Sequence, residues 1–333
     1  MTLHIIPFED YYIQEKTVLT CVSYEDRSNL VLKEILKSKK ISRCILIKLK
    51  DLFQGKKTSL FILPPSANDD EKVRIAWEKN YLEILSSLKE SNIIPSEIEG
   101  SSCDTIMLAK KINSIISNEE KVLFDVSSFP KHLLLEILRW NCDKRFTCLY
   151  ARPNINREAE TEFSVGTRDI GVLRGFEGEI RFNRPTLLVL ILGFEGSRAL
   201  TIFKHFEPSK VIALIGNSSP YLSVEDISFY LEIAKKNNFQ LLSNQRVIID
   251  EISTLDPYIF KTTLNDLISK HGDKDMNILI SCLGTKPQTL GLYLYWLENK
   301  GIQIIYSIPS KRRISSEGLG SIWIYKLKEL LHE

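Results

Sequence analysis

The sequence predicts an α/β protein built from two tandem units, each a parallel-rich sheet flanked by helices. Three observations carry that prediction. Short apolar runs rich in β-formers alternate with segments of helical periodicity along the chain, the pattern of strands joined by crossover helices. The second half repeats the first at three places in the same order. The 333 residues, 44% hydrophobic and 26% charged, leave room for two domain-sized cores.

The expected strands of the first half are Thr17 to Val22, Arg43 to Leu49, Val122 to Val126 and Phe146 to Ala151. Those of the second are Thr186 to Leu192, Lys210 to Ile215, Asn277 to Cys282 and Ile302 to Ile308. Helices are expected between them, near 28–38, 70–91, 104–117, 130–141, 197–206, 223–237, 256–270 and 287–299.

The internal repeat fixes the correspondence between the halves. "VLTCVSYEDRSNLVLKEIL" resembles "LLVLILGFEGSRALTIFKHF" and aligns Glu25 with Glu195; "KVLFDVSSFPKHLLLEIL" resembles "NILISCLGTKPQTLGLYLY" and aligns Ser128 with Thr285 and Pro130 with Pro287. "CLYARP" and "IIYSIP" then pair Tyr150 with Tyr306 and Pro153 with Pro309. The copies are expected to span residues 1–165 and 166–333, with a polar, Gly- and Arg-rich seam around 155–184. "GTRDIGVLRGFEG" echoes the tail "SSEGLGSIWIYKL", so each copy is expected to end in an extra strand or turn.

Composition excludes several classes of function. With 44 Lys and Arg against 42 Asp and Glu there is no global cationic field, so neither direct duplex DNA binding nor membrane-surface binding is expected, and any anion must be met locally. The six cysteines lack CxxC pairs and mostly sit in apolar runs, which suits a reducing cytoplasm. The N-terminus has no signal-peptide pattern, and the longest apolar run, "LLVLILGF", is too short to span a bilayer. The five histidines are scattered without metal-ligand spacing, and there is neither a GxSxG elbow nor a Walker A loop, so no metal and no cofactor is expected.

Ligands of open parallel sheets sit beyond the carboxyl ends of the strands. Four loops lie there: Ser23 to Ser28, Ser127 to Lys131, Gly193 to Arg198 and Gly284 to Gln288. In "GTKPQ", Gly284 permits a sharp turn, Thr285 is a good N-cap, Pro287 suits the first helical turn, and Gln288 completes a capping box with Thr285. Lys286 is the residue that this leaves over. A cation at a helix N-terminus is mildly unfavourable, whereas an anionic ligand would join the backbone N–H groups, Thr285 and Lys286 into one phosphate site. The first-copy loop "DVSSFPK" has Phe129 at the position of Lys286, with Lys131 two residues further on, so the copies are expected to be unequal in ligand binding.

The remaining candidates have alternatives of their own. Asp125, at a strand end, can act as a general base or simply cap the next helix. In "GFEGSRAL", Gly193 and Gly196 allow close backbone approach, Arg198 lies in the first helical turn, and Glu195 suits a ribose hydroxyl, a base amino group or Arg198 itself. Glu25 sits in the matching loop, and Asp125, Glu195 and Glu25 are the acid/base candidates of an enzymatic reading. Beyond the last strand, Lys311, Arg312 and Arg313 can meet phosphates or form a solvated turn, and Tyr306 at the strand end can stack on a base.

A strand followed by Gly284-Thr285-Lys286 and a helix, late in a Rossmann-like unit, resembles the CARF domains of CRISPR-associated sensors and the related SAVED domains. That resemblance implies CARF-like units in which this loop contacts the phosphates of a cyclic oligonucleotide and the Gly193 to Arg198 loop contacts the same ligand. SAVED domains further imply that two fused units share one composite pocket. The expected function is therefore a cytoplasmic nucleotide sensor, of the kind found in bacterial antiviral defence. Its output is expected from a separate effector protein or from homo-oligomer formation, since the two halves account for the whole chain. The alternatives are an enzyme acting on a nucleotide or phosphosugar, and an adaptor subunit without a small-molecule ligand.

Overall fold

The computed structural model describes residues 5–49, 69–102, 104–119, 121–141, 146–155, 164–217, 222–273, 275–314 and 316–330. Cys103, Cys142 and residues 156–163 of the polar seam lie outside them. The chain forms two compact units: residues 1–159 together with 314–333, and residues 160–313. The sequence division at 165/166 places the tail with the second copy, whereas the contacts place residues 314–333 with the first unit.

The first unit contains β1 (Ile6–Pro7), a 3-10 turn (Phe8–Asp10), β2 (Thr17–Cys21), α1 (Arg27–Lys37), β3 (Arg43–Leu49), α2 (Asp69–Glu90), β4 (Ser96–Gly100) and α3 (Thr105–Ile116). It continues with β5 (Val122–Asp125), α4 (Lys131–Trp140) and β6 (Phe146–Ile155). The second has β7 (Ser164–Val172), β8 (Thr186–Ile191), α5 (Gly196–Phe206), β9 (Lys210–Asn217), α6 (Val224–Asn237), α7 (Phe239–Leu242), β10 (Val247–Ser253) and α8 (Pro257–His271). It ends with β11 (Asn277–Cys282), α9 (Lys286–Glu298) and β12 (Gln303–Arg312); the chain then closes with β13 (Ser316–Lys326) and α10 (Leu327–Leu330) in the first unit.

The first sheet has seven strands in the order β1-β13-β6-β5-β2-β3-β4, and the second has six in the order β10-β9-β8-β11-β12-β7. Strands β2 to β6 pair in parallel, as do β8 to β12, while β13 runs antiparallel to β6 and β7 antiparallel to β12. Apart from β1, which has no counterpart, the strands of the two sheets correspond, with β8-β9-β10 standing for β2-β3-β4, β11-β12 for β5-β6 and β7 for β13. Two tandem Rossmann-like units of one topology follow, as the sequence repeat predicts. In each, consecutive strands run one way from the first parallel strand and then the other way, so the switch point lies between β2 and β5 and between β8 and β11.

The sixth strand is exchanged. The strand that follows β6 in the chain is β7, which joins the second sheet; the strand that follows β12 is β13, which joins the first. Each sheet is thus completed by the extra strand that ends the other repeat.

Burial explains why these segments form these elements. β2 (TVLTC) and β5 (VLFD) are buried along their whole length, because helices cover both faces of a central parallel strand. β4 (SEIEG) is an edge strand that buries only Ile98, and its polarity hides it from apolar-run reading. α1 buries Val31, Leu32, Ile35 and Leu36 on one face against the first core, which also takes in Leu46, Trp77, Leu123, Leu149 and Ile324. The second core joins Leu188, Leu190, Ile202, Ala213, Leu283 and Ile305. Among the described residues no helix is long and apolar enough to cross a membrane.

Candidate functional site

The loops after β8 and β11 leave neighbouring strands at the switch point of the second sheet. Leu283 N–H donates to the Ile191 carbonyl at 2.9 Å and Leu192 N–H to the Leu214 carbonyl at 2.9 Å, so the ladder continues into both loops. A side chain at Gly193 would begin 2.4 Å from the Leu283 carbonyl oxygen. The glycine is therefore required by the close approach of the two loops to each other.

The turn at α9 is built as its sequence predicts. Thr285 is the N-cap: its hydroxyl accepts from Gln288 N–H at 3.3 Å, and its own N–H donates to Gln288 Oε1 at 2.8 Å. The same hydroxyl donates to the Thr254 carbonyl at 2.6 Å, which ties the turn to the end of β10. Gly284 precedes the cap, where a Cβ would fall 1.8 Å from Gln288 Oε1. Lys286, partly buried, is the first residue of the helix.

The capping box uses only half of the Gln288 amide. Gln288 is 1% exposed, and its Nε2 has no hydrogen-bond partner among the described residues. It lies on the side of Gly216, whose Cβ would stand 3.8 Å away, at the carboxyl end of β9. A buried amide donor without an acceptor costs roughly 1–3 kcal/mol, so such a group marks a place where an acceptor is wanted.

Glu195 and Arg198 turn inward. Arg198 is 3% exposed; its Nε donates to Ser307 Oγ at 3.0 Å, one terminal nitrogen donates to Ser164 Oγ at 3.2 Å, and the other to the Ser307 carbonyl. Glu195 accepts from Ser164 Oγ at 3.2 Å and lies 3.5 Å from the guanidinium. The Tyr306 ring centroid is 5.7 Å from the Arg198 guanidinium carbon. Of the roles open to Glu195 in the sequence, partnership with Arg198 is the one its geometry fills, and the pair clamps β7 and β12 together.

The first unit repeats that clamp. Arg27 forms an ion pair with Glu25 and donates to the Ala151 carbonyl at 3.2 Å, while Ser316 Oγ donates to Glu25 Oε1 at 3.4 Å. Asp26 accepts from Gly318 N–H at 2.9 Å. Burial lowers the Arg27 pKa, but the Glu25 carboxylate more than offsets this, leaving it above the ordinary arginine value. The serines responsible, Ser164 and Ser316, escape a search for charged or catalytic types. Their signal was the shared Ser-x-Gly of "SVG" and "SEG" that opens each exchanged strand, with Gly166 and Gly318 both at positive φ.

Asp125 is fully buried, accepting from Thr20 Oγ1 at 2.9 Å and from Ser127 N–H at 3.1 Å. Burial holds its carboxyl above the ordinary aspartate value, and the hydrogen bonds from Ser127 and Thr20 oppose that rise only in part. Phe129, at the position of Lys286, is also fully buried and packs edge-on against Phe124 with centroids 5.0 Å apart. α4 has no side-chain cap. The two turns differ in composition: the first puts the buried Phe129 where the second has the partly buried Lys286.

The basic segment is placed differently from the sequence reading. β12 runs to Arg312 instead of ending near Ile308, so Tyr306 is inside the strand opposite Gly171, and Lys311 and Arg312 pair opposite Val165 and Ser164. Pairing with β7 carries the ladder past the bulge between Ile308 and Pro309. All three side chains are partly buried. Among the described residues no three His, Cys, Asp or Glu side chains gather as metal ligands would.

No protein-family model and no curated protein sequence matches this chain. Among solved structures it is similar to a type III CRISPR defence DNA nuclease activated by cyclic oligoadenylate, with a TM-score of 0.54 and 9% identity, covering 90% of this chain and 67% of that one. At that identity the likeness is one of fold, and it extends across both units of this chain.

Proposed function

We propose that this protein is a nucleotide-sensing module whose second unit holds a phosphate of its ligand at the turn formed by Gly284, Thr285 and Lys286. The observation that carries the proposal is the composition of that turn: a helix N-terminus with a lysine at its first position and, two residues on, a buried amide donor without an acceptor. A phosphate oxygen would meet the positive end of the helix dipole, stand within the reach of a cation at the first helical position, and give Gln288 Nε2 the lone pair that it lacks among the described residues. The sheet supports the same reading, since the turn lies at the switch point where open α/β sheets bind ligands.

The class of ligand we propose is the cyclic oligonucleotide. The resemblance of the Gly-Thr-Lys turn to CARF domains and the fold shared with a nuclease that is activated by cyclic oligoadenylate both favour it. Lys311 and Arg312, at the far end of β12, are further candidates for phosphate contact. The setting we propose is antiviral defence, with the output passed to a separate effector or expressed as self-assembly. Asp125 and Glu25 are buried, Glu195 is partly buried, and all three are bonded to protein groups, which favours binding over acid/base chemistry by these carboxylates.

Isothermal titration of the full chain with cyclic tri-, tetra- and hexaadenylate and with ATP tests the reading, followed by mass spectrometry of each mixture. Saturable binding that Lys286→Ala weakens at unchanged melting temperature is the expected result. Wild-type affinity in Lys286→Ala would remove the turn from the site, and a cleaved ligand would move the protein to the enzymes.

A further inference from the structure

We infer that Phe194, Tyr230 and Phe229 form a platform on which the second unit stacks a nucleobase of its ligand; this deepens the phosphate reading of the α9 turn and rests on it. Phe194 belongs to the loop after β8, one residue beyond Gly193, which packs against the Leu283 carbonyl of the α9 turn. The aromatic cluster therefore begins beside the turn that carries Lys286.

The backbone beneath the platform is fixed. Asn237 Nδ2 donates to the Phe194 carbonyl at 2.8 Å and Asn238 Nδ2 to the Gly193 carbonyl at 2.9 Å, so the elbow between α6 and α7 holds the loop. A side chain at Gly196 would fall 1.8 Å from the Asn237 carbonyl oxygen, which shows how closely the helix end and the loop fit. The Phe194 ring is nearly parallel to that of Tyr230, 22° apart with centroids at 6.1 Å, and Phe229 meets Tyr230 at 5.5 Å and 62°. All three rings remain partly exposed. A surface held in place before the ligand arrives loses little entropy on binding.

The burial of α6 argues that the surface serves a ligand. Of the 14 residues of this helix only Ala234 is fully buried and Leu231, like Phe194, packs on the second core, while Ile227, Phe229, Tyr230 and Ile233 stay partly exposed. A helix kept for packing alone would bury a stripe of such residues. Here the aromatic members gather toward the loop at the carboxyl end of β8, where ligands of open sheets bind. Aromatic faces accept any base by stacking, and the flanking charges Glu232, Lys235 and Lys236 keep the rest of the helix in water.

Substitution by leucine preserves apolar volume and removes the π-face, so Phe194→Leu, Tyr230→Leu and Phe229→Leu are the variants of choice. The full chain is titrated with cyclic tri-, tetra- and hexaadenylate, with 2-aminopurine riboside triphosphate, whose fluorescence is quenched by stacking, and with inorganic tripolyphosphate as a base-free competitor. The expected result is quenching by the wild type, its loss in Tyr230→Leu, and a roughly five- to hundredfold weaker affinity for the adenine ligands with tripolyphosphate binding unchanged. Wild-type affinity and quenching in all folded leucine variants would overturn the platform and leave the α9 turn standing. Failure of the wild type to bind any of these probes would overturn both. Phe194→Leu and Phe229→Leu decide the matter if Tyr230→Leu does not fold.

Discussion

Ser316 Oγ donates a hydrogen bond to Glu25 Oε1 at 3.4 Å, across 291 residues of chain. The equivalent bond of the second unit, Ser164 Oγ to Glu195 Oε1 at 3.2 Å, spans only 31. The same contact is made at such different separations because the antiparallel strand of each sheet comes from the extra segment of the other repeat. In both units an arginine completes the arrangement, Arg27 on the Ala151 carbonyl and Arg198 on the Ser307 carbonyl. The loop after the first parallel strand is therefore committed to holding the sheet's last strand in register.

That commitment predicts the behaviour of Arg198. Removing the guanidinium leaves the largely buried Glu195 carboxylate without its counter-charge and Ser307 without its donor. Breaking one partner of a buried pair costs about 3–5 kcal/mol, and Arg198→Ala is expected to lower stability by that amount in urea denaturation. Arg198→Lys should recover little, since one ammonium cannot reach Ser307 and Ser164 as the fork does. Arg27→Ala should act likewise through the first unit. A loss below about 1 kcal/mol in either alanine variant would mean that water replaces the clamp.

The clamp also marks where sequence reasoning stops. Central strands were legible because burial on both faces demands an apolar run, as in "TVLTC" and "NILISC". Edge strands β4 (SEIEG) and β10 (VIIDEIS) were not, since they keep one side polar, whereas the extra strand or turn expected at the end of each copy is present as β7 and β13. The α9 turn was legible down to its capping box, because every partner lies within four residues of Gly284. The burial of Arg198 is not encoded locally, because the serines that bond it lie 34 and 109 residues away. The exchange of β7 and β13 is likewise a matter of long-range pairing, which no local period encodes.

Asp125 gives a prediction in pH. Burial raises its carboxyl above the ordinary value of 3.8, so the folded protein holds the proton to higher pH than the unfolded chain does. The resulting stabilisation is full below about 3.8 and is lost as pH rises through the folded value. Asp125→Asn cannot ionise; its Oδ1 still accepts from Ser127 N–H, and its Nδ2 can donate to the Thr20 hydroxyl where Oδ2 accepted. The melting temperature of the variant minus that of the wild type should increase from mildly acidic to mildly alkaline buffer. A difference that decreases with pH would show that the hydrogen bonds from Thr20 and Ser127 outweigh burial and favour the carboxylate.

Thr285 and Lys286, adjacent in the turn, should separate stability from binding. Thr285 caps α9 and anchors the end of β10, so Thr285→Ala removes the acceptor for Gln288 N–H and the donor to Thr254. An N-cap substitution costs about 0.5–2 kcal/mol, and loss of the second bond should place this one at the upper end. Lys286 stands where the helix dipole disfavours a cation, so Lys286→Ala should leave stability unchanged or raise it by a few tenths of a kcal/mol at most. Under the proposed function the order reverses for ligand. Lys286→Ala loses the charge that faces the phosphate and should weaken binding at least tenfold, with a shallower dependence on salt than the wild type. Thr285→Ala should bind with an affinity reduced only as far as the turn is loosened. Thermal melts and titrations on both variants at two salt concentrations measure all four quantities, and a Lys286→Ala protein that melts lower but binds as well as wild type would assign the lysine to the fold.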